Sequence, residues 1–591
     1  MKRCALVAGY TSSAAELASR LPEVDLVMAL TSEDELMLSA LALEPEAPRR
    51  ISPFDLISTA EFQEISWAGL RARDRFVATL CRGEQLDGID WPALFLEDNF
   101  LFFFRDLLFA QRLGERLRAR GIDRIVWETG ADGSTGRDFR LGLAGVDGLE
   151  VVETERAGPR VGWKRFADPL IRLIRRVRKP AVEIPASCGV VAVFSTRQWE
   201  RFRSSLIDLR QSLGDQLHLW YLGNAGKDLI AWCRDQNIPV LSVRHPTRVD
   251  PDIQQFFRSH QQRWFDQTRF QLAEEIRCPA LARDALRPPL ELLWSYTLPR
   301  TAQWGRDLRG MLETSRPRLV IGTAAFTYQT ALPYHVANSL DLSSVALSHT
   351  YVSGDHSPVP STYLACRNRF ERNGYRRTFP NDERVLYCRN ASDSLSYQPD
   401  APSLTPSDSR PLVAMLTASS TLGVHLLPMV DTGELDRTLR ALANPPEELS
   451  GVDFAFKSHP RFDISQPLQH CVGSPNVRVL PATASVTELL EAAWLVVVFN
   501  HYGGVVIDAA MAGKPILFLD SAGYFYPHVK TQGFESGTVV DSVEAFWELL
   551  TQLVRDHDLY TTLQRKCRRF AERYLEPADA DLGPSLAQLA S

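Results

Sequence analysis

The sequence lacks the features that mark secreted, zinc-binding or membrane-spanning chains. Its nine cysteines stand singly, without a Cys-x-x-Cys pair, which argues against a zinc ribbon or a disulfide framework and fits a reducing cytoplasm. No window approaches the roughly 20 apolar residues of a spanning helix. The longest apolar run near the front, 94–110, is broken by charges. We therefore predict a cytoplasmic protein and interpret 94–110 as a core helix.

An excess of positive charge is also missing. The 66 Lys and Arg residues are outnumbered by 72 Asp and Glu, which gives a net charge of −6. A general affinity for nucleic acid is therefore not expected. The 45% hydrophobic and 23% charged content is ordinary for a folded protein, and 591 residues suggest two or three domains.

Apolar strands alternate with helical segments along nearly the whole sequence. This pattern predicts an α/β protein with parallel sheets, more than one in number. Whether the first 160 residues share a sheet with 189–390 or form a separate domain is left open. The predicted segments are an N-terminal α/β region (1–162), a basic connector helix (163–187), a Rossmann-like domain (188–392), a linker (393–410) and a second Rossmann-like domain (411–591).

The basic segment 163–179 has two interpretations. Its apolar residues follow a spacing of three to four and arginines and lysines surround them, so a helix here could lie on an anionic membrane surface. It could equally be a connector packed between domains, with a solvated charged side. Asp168 could also be the N-cap and Pro169 the first helical residue, which would leave Trp163 and Phe166 outside the helix.

The motif FAFKSHPRFD (454–463) places cationic groups at a turn after a buried strand. His459 could donate a hydrogen bond to a phosphate oxygen, and Lys457 and Arg461 could add charge. Pro460 ends the strand. The alternative is a His-Pro turn with surface charges.

A second motif follows the strand LVVVF (495–499), where a turn leads into a helix rich in small residues. Its two glycines would let backbone amides approach a phosphate, and Asp508 could accept hydrogen bonds from ribose hydroxyls. Gly513 is predicted to end the helix. The alternative is an ordinary α/β crossover with a glycine turn. The turn residues proposed to contact the donor are Asn500, His501, Tyr502, Gly503 and Gly504.

Together these motifs resemble the C-terminal half of GT-B glycosyltransferases, above all the bacterial capsule-polysaccharide biosynthesis family, which includes Kdo transferases. The resemblance to bacterial sialyltransferases is looser. The resemblance to the capsule-polysaccharide family covers roughly residues 411–545 and is carried by KSHP (457–460), FNHYGG (499–504), IDAA (507–510) and GKPI (513–516). It implies a GT-B fold, with two Rossmann-like domains facing a cleft. It also implies a nucleotide-sugar donor, CMP-sugar favoured over UDP-sugar, with its phosphate at the His-Pro turn.

The sequence departs from the family pattern at the second turn. His501 and Tyr502 replace the usual Ser or Thr residues, and Asp508 replaces Glu. Retaining GT-B enzymes often carry two Glu residues eight apart, where this chain has Asn500 and Asp508. An inverting displacement is therefore favoured, which needs a general base from the other domain.

Candidates for that base stand in polar turns that follow predicted strands. Glu128 and Asp132 lie in WETGADGSTG, and His349 and Asp355 lie in SHTYVSGDHS. The SHT sequence partly matches a Gln-His-Gly turn of related surface-polysaccharide proteins. An acid in a glycine-rich turn is usually only a turn former, and His349 could be a buried structural histidine. The turn 322–330 could contact acceptor or donor.

The leading hypothesis is a metal-independent glycosyltransferase without a cofactor, which moves a sugar, such as an ulosonic acid, to a surface-glycan or lipid-linked acceptor. The sequence contains no His-Glu-x-x-His and no Asp-x-Asp in a sheet-edge turn. The location would be the cytoplasm or the inner face of the cytoplasmic membrane. The alternatives are a nucleotide-sugar epimerase or polyol-phosphate transferase on the same scaffold, and a non-catalytic binding protein that kept the fold.

Overall fold

Three β-sheets organise the part of the chain that the structure describes, and each described strand pair in them is parallel. The structure is a computed structural model. It describes residues 3–9, 18–30, 38, 49–58, 60–62, 64–65, 67–69, 71–72, 85–89, 91, 103–129, 140, 142–153, 188–195, 197–274, 291, 293–323, 328–348, 359–375, 379–389, 410–417, 432–459, 464–499, 505–521, 536–574 and 580–591.

The N-terminal region has a sheet of its own, which resolves the question of the first 160 residues. Its strands are β1 (Arg3–Gly9), β2 (Leu26–Ala29), β3 (Arg49–Ile51), β4 (Ile122–Thr129) and β5 (Glu150–Glu153). They are ordered β3-β2-β1-β4-β5. Helix α1 (Phe103–Ala119) buries Phe109, Leu113 and Leu117 against this sheet. The predicted core helix is thus confirmed over its described part.

The second sheet is built from residues 190–389 and one strand from the C-terminus. Its strands are β6 (Val190–Phe194), β7 (Leu217–Leu222), β8 (Val240–Val243), β9 (Leu319–Thr323), β10 (Ser343–Leu347), β11 (Tyr363–Cys366), β12 (Val385–Arg389) and, far along the chain, β19 (Ala580–Asp581). They are ordered β19-β12-β11-β10-β9-β6-β7-β8. Its helices are α2 (Arg203–Leu213), α3 (Lys227–Asp235), α4 (Pro251–Glu274), α5 (Leu298–Ser315), α6 (Tyr328–Asn338) and α7 (Arg369–Gly374).

The third sheet has the strand order of a doubly wound dinucleotide fold. Its strands are β13 (Leu412–Thr417), β14 (Asp453–Ser458), β15 (Val477–Leu480), β16 (Leu495–Phe499), β17 (Ile516–Leu519) and β18 (Thr538–Val540). They are ordered β15-β14-β13-β16-β17-β18, which is the 3-2-1-4-5-6 arrangement. Its helices are α8 (Thr432–Leu442), α9 (Ser465–Gln469), α10 (Val486–Ala492), α11 (Val505–Met511), α12 (Val543–Arg555) and α13 (His557–Tyr574).

The end of the chain returns to the second sheet. Strand β19 pairs with β12, and the last helix, α14 (Leu582–Ala590), packs against α2. The amide of Gly583 donates to the Asp208 carboxylate at 2.8 Å. This differs from the predicted segment 411–591, which assigned these residues to the third sheet.

The N-terminal region is joined to the second sheet by packing and by charge. Trp91 is buried against α5, where a Cβ added to Gly305 would lie 2.3 Å from the Trp91 ring. Arg306, also on α5, donates from Nε to Asp87 at 2.9 Å and from Nη1 to Asp252 at 2.8 Å.

The predicted fold class is confirmed as α/β, with two Rossmann-like parallel sheets that follow an additional N-terminal α/β region. All five residues of β6, β9 and β16 are buried, as expected where helices cover both faces of a parallel sheet. Among the described residues, no helix is long and apolar enough to cross a bilayer. The basic segment 163–187 and the linker 393–410 lie outside the described residues.

Candidate active site

The candidate site lies at the carboxyl edge of the third sheet, where the strand order reverses. Strands β13 and β16 are neighbours, and the following strands are added outward on opposite sides. In open α/β sheets a crevice forms at this point, outside the carboxyl ends of the two strands. Here those ends are Thr417 and Phe499.

The predicted His-Pro corner stands beside this crevice. His459 directly follows β14, and its backbone amide donates to the carbonyl of Thr417 at 2.8 Å. Ser458 Oγ accepts from the amide of Ile464 at 3.3 Å and from Ser465 Oγ at 3.3 Å, which closes the loop that contains the His-Pro step. Ile464 and Ser465 are thereby held at the end of β14. Pro460 and Arg461 lie outside the described residues.

Lys457 is placed differently from a surface cation. Its side chain is buried, and its ammonium donates to the carbonyls of Ala482 at 2.9 Å and Ser458 at 3.2 Å. These bonds compensate the cost of removing an ammonium from water. They tie the end of β14 to the segment after β15, so Lys457 has a structural role here, while its contact with phosphate stays a prediction.

The second motif also reaches this edge. Strand β16 ends at Phe499 and α11 begins at Val505, so the turn 500–504 lies between them and outside the described residues. Asp508 stands in the first turn of α11 and is half-buried, while its neighbours Ile507 and Ala509 are buried.

The end of α11 follows the prediction. Gly513 has φ of +66°, in the left-handed region, and its amide donates to the carbonyl of Ala510 at 3.0 Å. The amide of Lys514 donates to the carbonyl of Ala509 at 3.0 Å. The C-cap at Gly513 is therefore confirmed, since this geometry favours glycine.

A buried carboxylate of the second sheet organises the ends of β10 and β11. Glu371, on α7, has a fully buried side chain and accepts from Ser348 Oγ at 2.7 Å. It also accepts from the amide and the Nε of Arg367, at 2.9 and 2.7 Å. Ser348 directly precedes the predicted residue His349, which together with Asp355 lies outside the described residues.

The charges of this group favour an ionised pair. Burial alone would raise the pKa of Glu371, but the Arg367 guanidinium and the hydrogen bonds from Arg367 and Ser348 lower it overall. Burial would lower the pKa of Arg367, and the charge of Glu371, followed with a smaller effect by Asp508, raises it overall. Asp508 belongs to the third sheet, so the electrostatic interaction joins the two sheets.

Apolar packing brings the same two elements together. Phe370, on α7, is fully buried in a cluster with Val506, Ile507 and Ala510 of α11. Its ring lies 5.4 Å from that of Phe570 on α13, edge to face. Through Phe370, α7 of the second sheet therefore contributes to the core of the third, against the helix that carries Asp508.

The second sheet has its own reversal point, between β6 and β9. Ser195 follows β6, and its Oγ is buried with no hydrogen-bond partner among the described residues. Thr323 ends β9, and its carbonyl accepts from the Tyr334 hydroxyl at 2.6 Å. Of the predicted turn 322–330, residues 324–327 lie outside the described part.

Of the remaining base candidates, Glu128 belongs to the first sheet. Glu128 is the penultimate residue of β4 and is paired with Ala8 of β1, and Asp132 lies outside the described residues. The structure thus places Glu128 and Ser348, the residue before His349, on different sheets. The catalytic role of each candidate stays a prediction.

Sequence reasoning missed Arg367 and Glu371. The only local signal was the run CRNRFERNG (366–374), in which Asn368 follows a strand and caps α7, accepting from the amide of Glu371 at 2.9 Å. An Arg and a Glu four residues apart are ordinary on a solvated helix. Only the packing of α7 between two sheets shows that this pair is buried. No cluster of metal-binding side chains occurs in the described ranges.

Comparison with known proteins gives similarity of structure only. No protein-family model and no curated protein matches the sequence. Similar solved structures include UDP-GlcNAc 2-epimerase from Neisseria meningitidis bound to UDP-GlcNAc (11% identity, TM-score 0.42), MurG from Acinetobacter baumannii (14%, 0.39) and HepE from Anabaena in complex with UDP (12%, 0.39).

These matches cover 68% of this chain and 99%, 99% and 98% of the three neighbours, in the same order. Values of this size carry no argument about the activity of this chain. The resemblance to the capsule-polysaccharide family stays a prediction.

Proposed function

We propose that this protein is an inverting glycosyltransferase that moves a sugar from a nucleotide-activated donor to a surface-glycan or lipid-linked acceptor. The preferred donor is a CMP-sugar, such as a CMP-ulosonic acid. The observation that carries the proposal is the position of His459 and Asp508. His459 directly follows β14, and Asp508 lies in the first turn of α11. Both elements adjoin the reversal point of the third sheet, where α/β folds bind nucleotides.

In the proposed reaction an acceptor hydroxyl attacks the anomeric carbon from the face opposite the phosphate. The bond from that carbon to the phosphate oxygen breaks, and the nucleotide leaves with the electron pair. His459 donates a hydrogen bond to the departing phosphate, Arg461 adds charge, and Asp508 holds the ribose. No resident cofactor enters this scheme.

A general base must take the proton of the acceptor hydroxyl. Among Glu128, Asp132, His349 and Asp355 we favour His349. It directly follows Ser348, whose hydroxyl donates to Glu371 at 2.7 Å. Ser348 follows β10 of the second sheet, whose helix α7 packs against α11 of the third.

The first test is a nucleotide screen. CMP, CDP, UDP and GDP are compared by melting shift and calorimetry, and CMP is expected to bind best. His459→Ala should weaken binding by about 1–3 kcal/mol, the scale of a lost charge-assisted hydrogen bond. His470→Ala is the matched control, because His470 is exposed in the same domain. Equal affinities of the wild type and His459→Ala would contradict the assigned role.

The second test separates transfer from the alternatives. The protein is incubated with a CMP-sugar, with and without a glycan acceptor, and the products are analysed by mass spectrometry and NMR. A new glycosidic bond of inverted anomeric configuration supports the proposal. Isomerised nucleotide sugar without acceptor would indicate an epimerase, and nucleotide binding without any product would indicate a binding protein.

The proposal includes contact of segment 163–179 with an anionic membrane surface. The support is its sequence alone, with arginines beside an apolar stripe. Neutralising Arg172, Arg175 and Arg176 should reduce binding to anionic liposomes and leave turnover of a soluble acceptor unchanged. Equal binding of the wild type to neutral and anionic liposomes would remove this part.

A further inference from the structure

Arg367 lies at the boundary of two sheets with part of its guanidinium unused. Its side chain is only 11% exposed, and Glu371 accepts from Nε at 2.7 Å and also pairs with Nη2. Its Nη1 is buried and has no hydrogen-bond partner among the described residues. An arginine stays charged inside a protein, so a buried N–H without an acceptor is costly. The buried Nη1 of Arg367 therefore indicates that the guanidinium interacts with a further group besides Glu371.

The packing around Arg367 points to Asp508 as the other group. Arg367 precedes α7, whose Phe370 is buried against Val506 and Ile507 of α11, the helix that carries Asp508. The charge of Asp508 acts on the Arg367 guanidinium. The two residues belong to different sheets and stand 141 positions apart in the chain, and the packing of Phe370 against α11 joins the two parts of the chain that carry them.

The charges at this boundary decide what class of group can bind there. Among the described residues, two carboxylates, Glu371 and Asp508, act on the single Arg367 guanidinium, so these three groups together carry a net negative charge. A phosphate would add a further negative charge and is disfavoured. A neutral group with hydroxyls fits, because an ionised carboxylate accepts hydrogen bonds and has none to donate.

We propose that Arg367 is a positioning residue of a ribose site shared by both sheets. The guanidinium, held by Glu371, directs Nη1 towards the carboxylate of Asp508, and this carboxylate accepts hydrogen bonds from the ribose hydroxyls of the nucleotide. The inference rests on the proposed nucleotide binding and deepens it. The phosphate belongs to the corner at His459, and the class of ligand is a ribonucleotide rather than a deoxyribonucleotide.

The test is sugar discrimination by the full-length protein. Dissociation constants for CMP, 2′-deoxy-CMP and 3′-deoxy-CMP are measured by calorimetry, with UDP and its deoxy forms in parallel. The wild type should prefer the ribonucleotide to at least one deoxy form by about tenfold, the effect of one lost hydrogen bond to a charged group. Arg367→Lys and Asp508→Asn should each reduce this ratio about fivefold or more, and the double variant should reduce it no further than either change alone.

Arg372→Lys is the matched control and should keep the wild-type ratio. Arg372 lies on the same helix but pairs with Asp382 at 3.0 Å. If Arg367→Lys does not fold, the neutral pair Arg367→Gln with Glu371→Gln replaces it, because it leaves no buried charge without its partner.

The outcomes separate this inference from the proposed function. An unchanged discrimination ratio in the Arg367 variants, or additive effects in the double variant, overturns the shared ribose site while the nucleotide proposal stands. A merely structural role of Arg367 would weaken both nucleotides equally and leave their ratio unchanged, which also overturns it. Failure of the wild type to bind any of these nucleotides would overturn both proposals.

Discussion

Glu371 is expected to be one of the positions of the domain around the second sheet at which substitution lowers stability most. Its side chain is completely buried and accepts from Ser348 and from two nitrogens of Arg367 within 2.9 Å. Replacement by Ala leaves the Arg367 guanidinium buried without its counter-charge, and breaking a buried pair in this way costs about 3–5 kcal/mol. For a domain of this size each kcal/mol lowers the melting temperature by roughly 2–4 °C. Glu371→Ala should therefore melt roughly 6–20 °C below the wild type.

The assay is thermal melting, monitored both by circular dichroism and by the fluorescence of a bound nucleotide analogue. Two probes are needed because a chain of several domains need not unfold in one step. Replacing both partners by Met should restore most of the stability, since a buried pair exchanged for apolar side chains of similar volume is often neutral. Glu383→Ala, in an exposed position of the same domain, is the control and should change the free energy of unfolding by less than about 0.5 kcal/mol. The reasoning is refuted if the double Met variant melts as low as Glu371→Ala.

The pH dependence of this stabilisation has a definite sign. The pKa of Glu371 is lowered in the folded protein, chiefly because Arg367 outweighs the effect of burial. The unfolded chain therefore takes up the proton first as the pH falls. The contribution is complete above the unfolded pKa of about 4.3 and is lost as the pH falls through the lower folded pKa. The difference in melting temperature between wild type and Glu371→Gln should shrink below that pH.

Two further predictions concern the second domain. Gly305→Ala should lower the free energy of unfolding by about 1–3 kcal/mol in chemical denaturation, because the new Cβ would lie 2.3 Å from the buried Trp91 ring. The control is Gly310→Ala on the same helix, whose new Cβ meets nothing within 4 Å and should leave this free energy unchanged or raise it by up to about 1 kcal/mol. Equal losses of stability in the two variants would contradict the packing of Trp91 against Gly305. Burial lowers the pKa of His335 to about 4. Because the unfolded pKa is about 6.5, stability should fall between pH 6.5 and pH 4 by up to about 3 kcal/mol, and His335→Gln should flatten this part of a melting-temperature profile that stays unchanged in His470→Gln.

Local order was predictable because it depends on neighbouring residues. Buried runs such as LVVVF predicted strands, their alternation with helices predicted parallel sheets, and both were found. Gly513 predicted the end of α11, because a left-handed C-cap favours glycine whatever surrounds it. The corner at His459 was predicted at the end of a strand because a buried apolar run leads into a His-Pro step, and His459 is found directly after β14.

Lys457 shows where local reasoning loses force. It was predicted in the turn after a strand, whereas it lies within β14. Whether its ammonium faces solvent or carbonyls depends on Ala482, 25 positions further along the chain. The ion pair of Arg367 and Glu371 has an ordinary helical spacing, and nothing in its immediate neighbours distinguishes a buried pair from a solvated one.

The sequence alone determined the α/β class and the position of the His459 corner at the end of a strand, because periodicity, turn residues and caps act over a few positions. The tertiary structure decided that the last helix returns to the second sheet and that α7 packs against the helix that carries Asp508. The physical reason is the range of the interactions. Phe370 is buried against α11 because two segments far apart in the chain pack together, and the same packing brings charges of two sheets into interaction. A local sequence pattern holds no information about which distant surfaces pack.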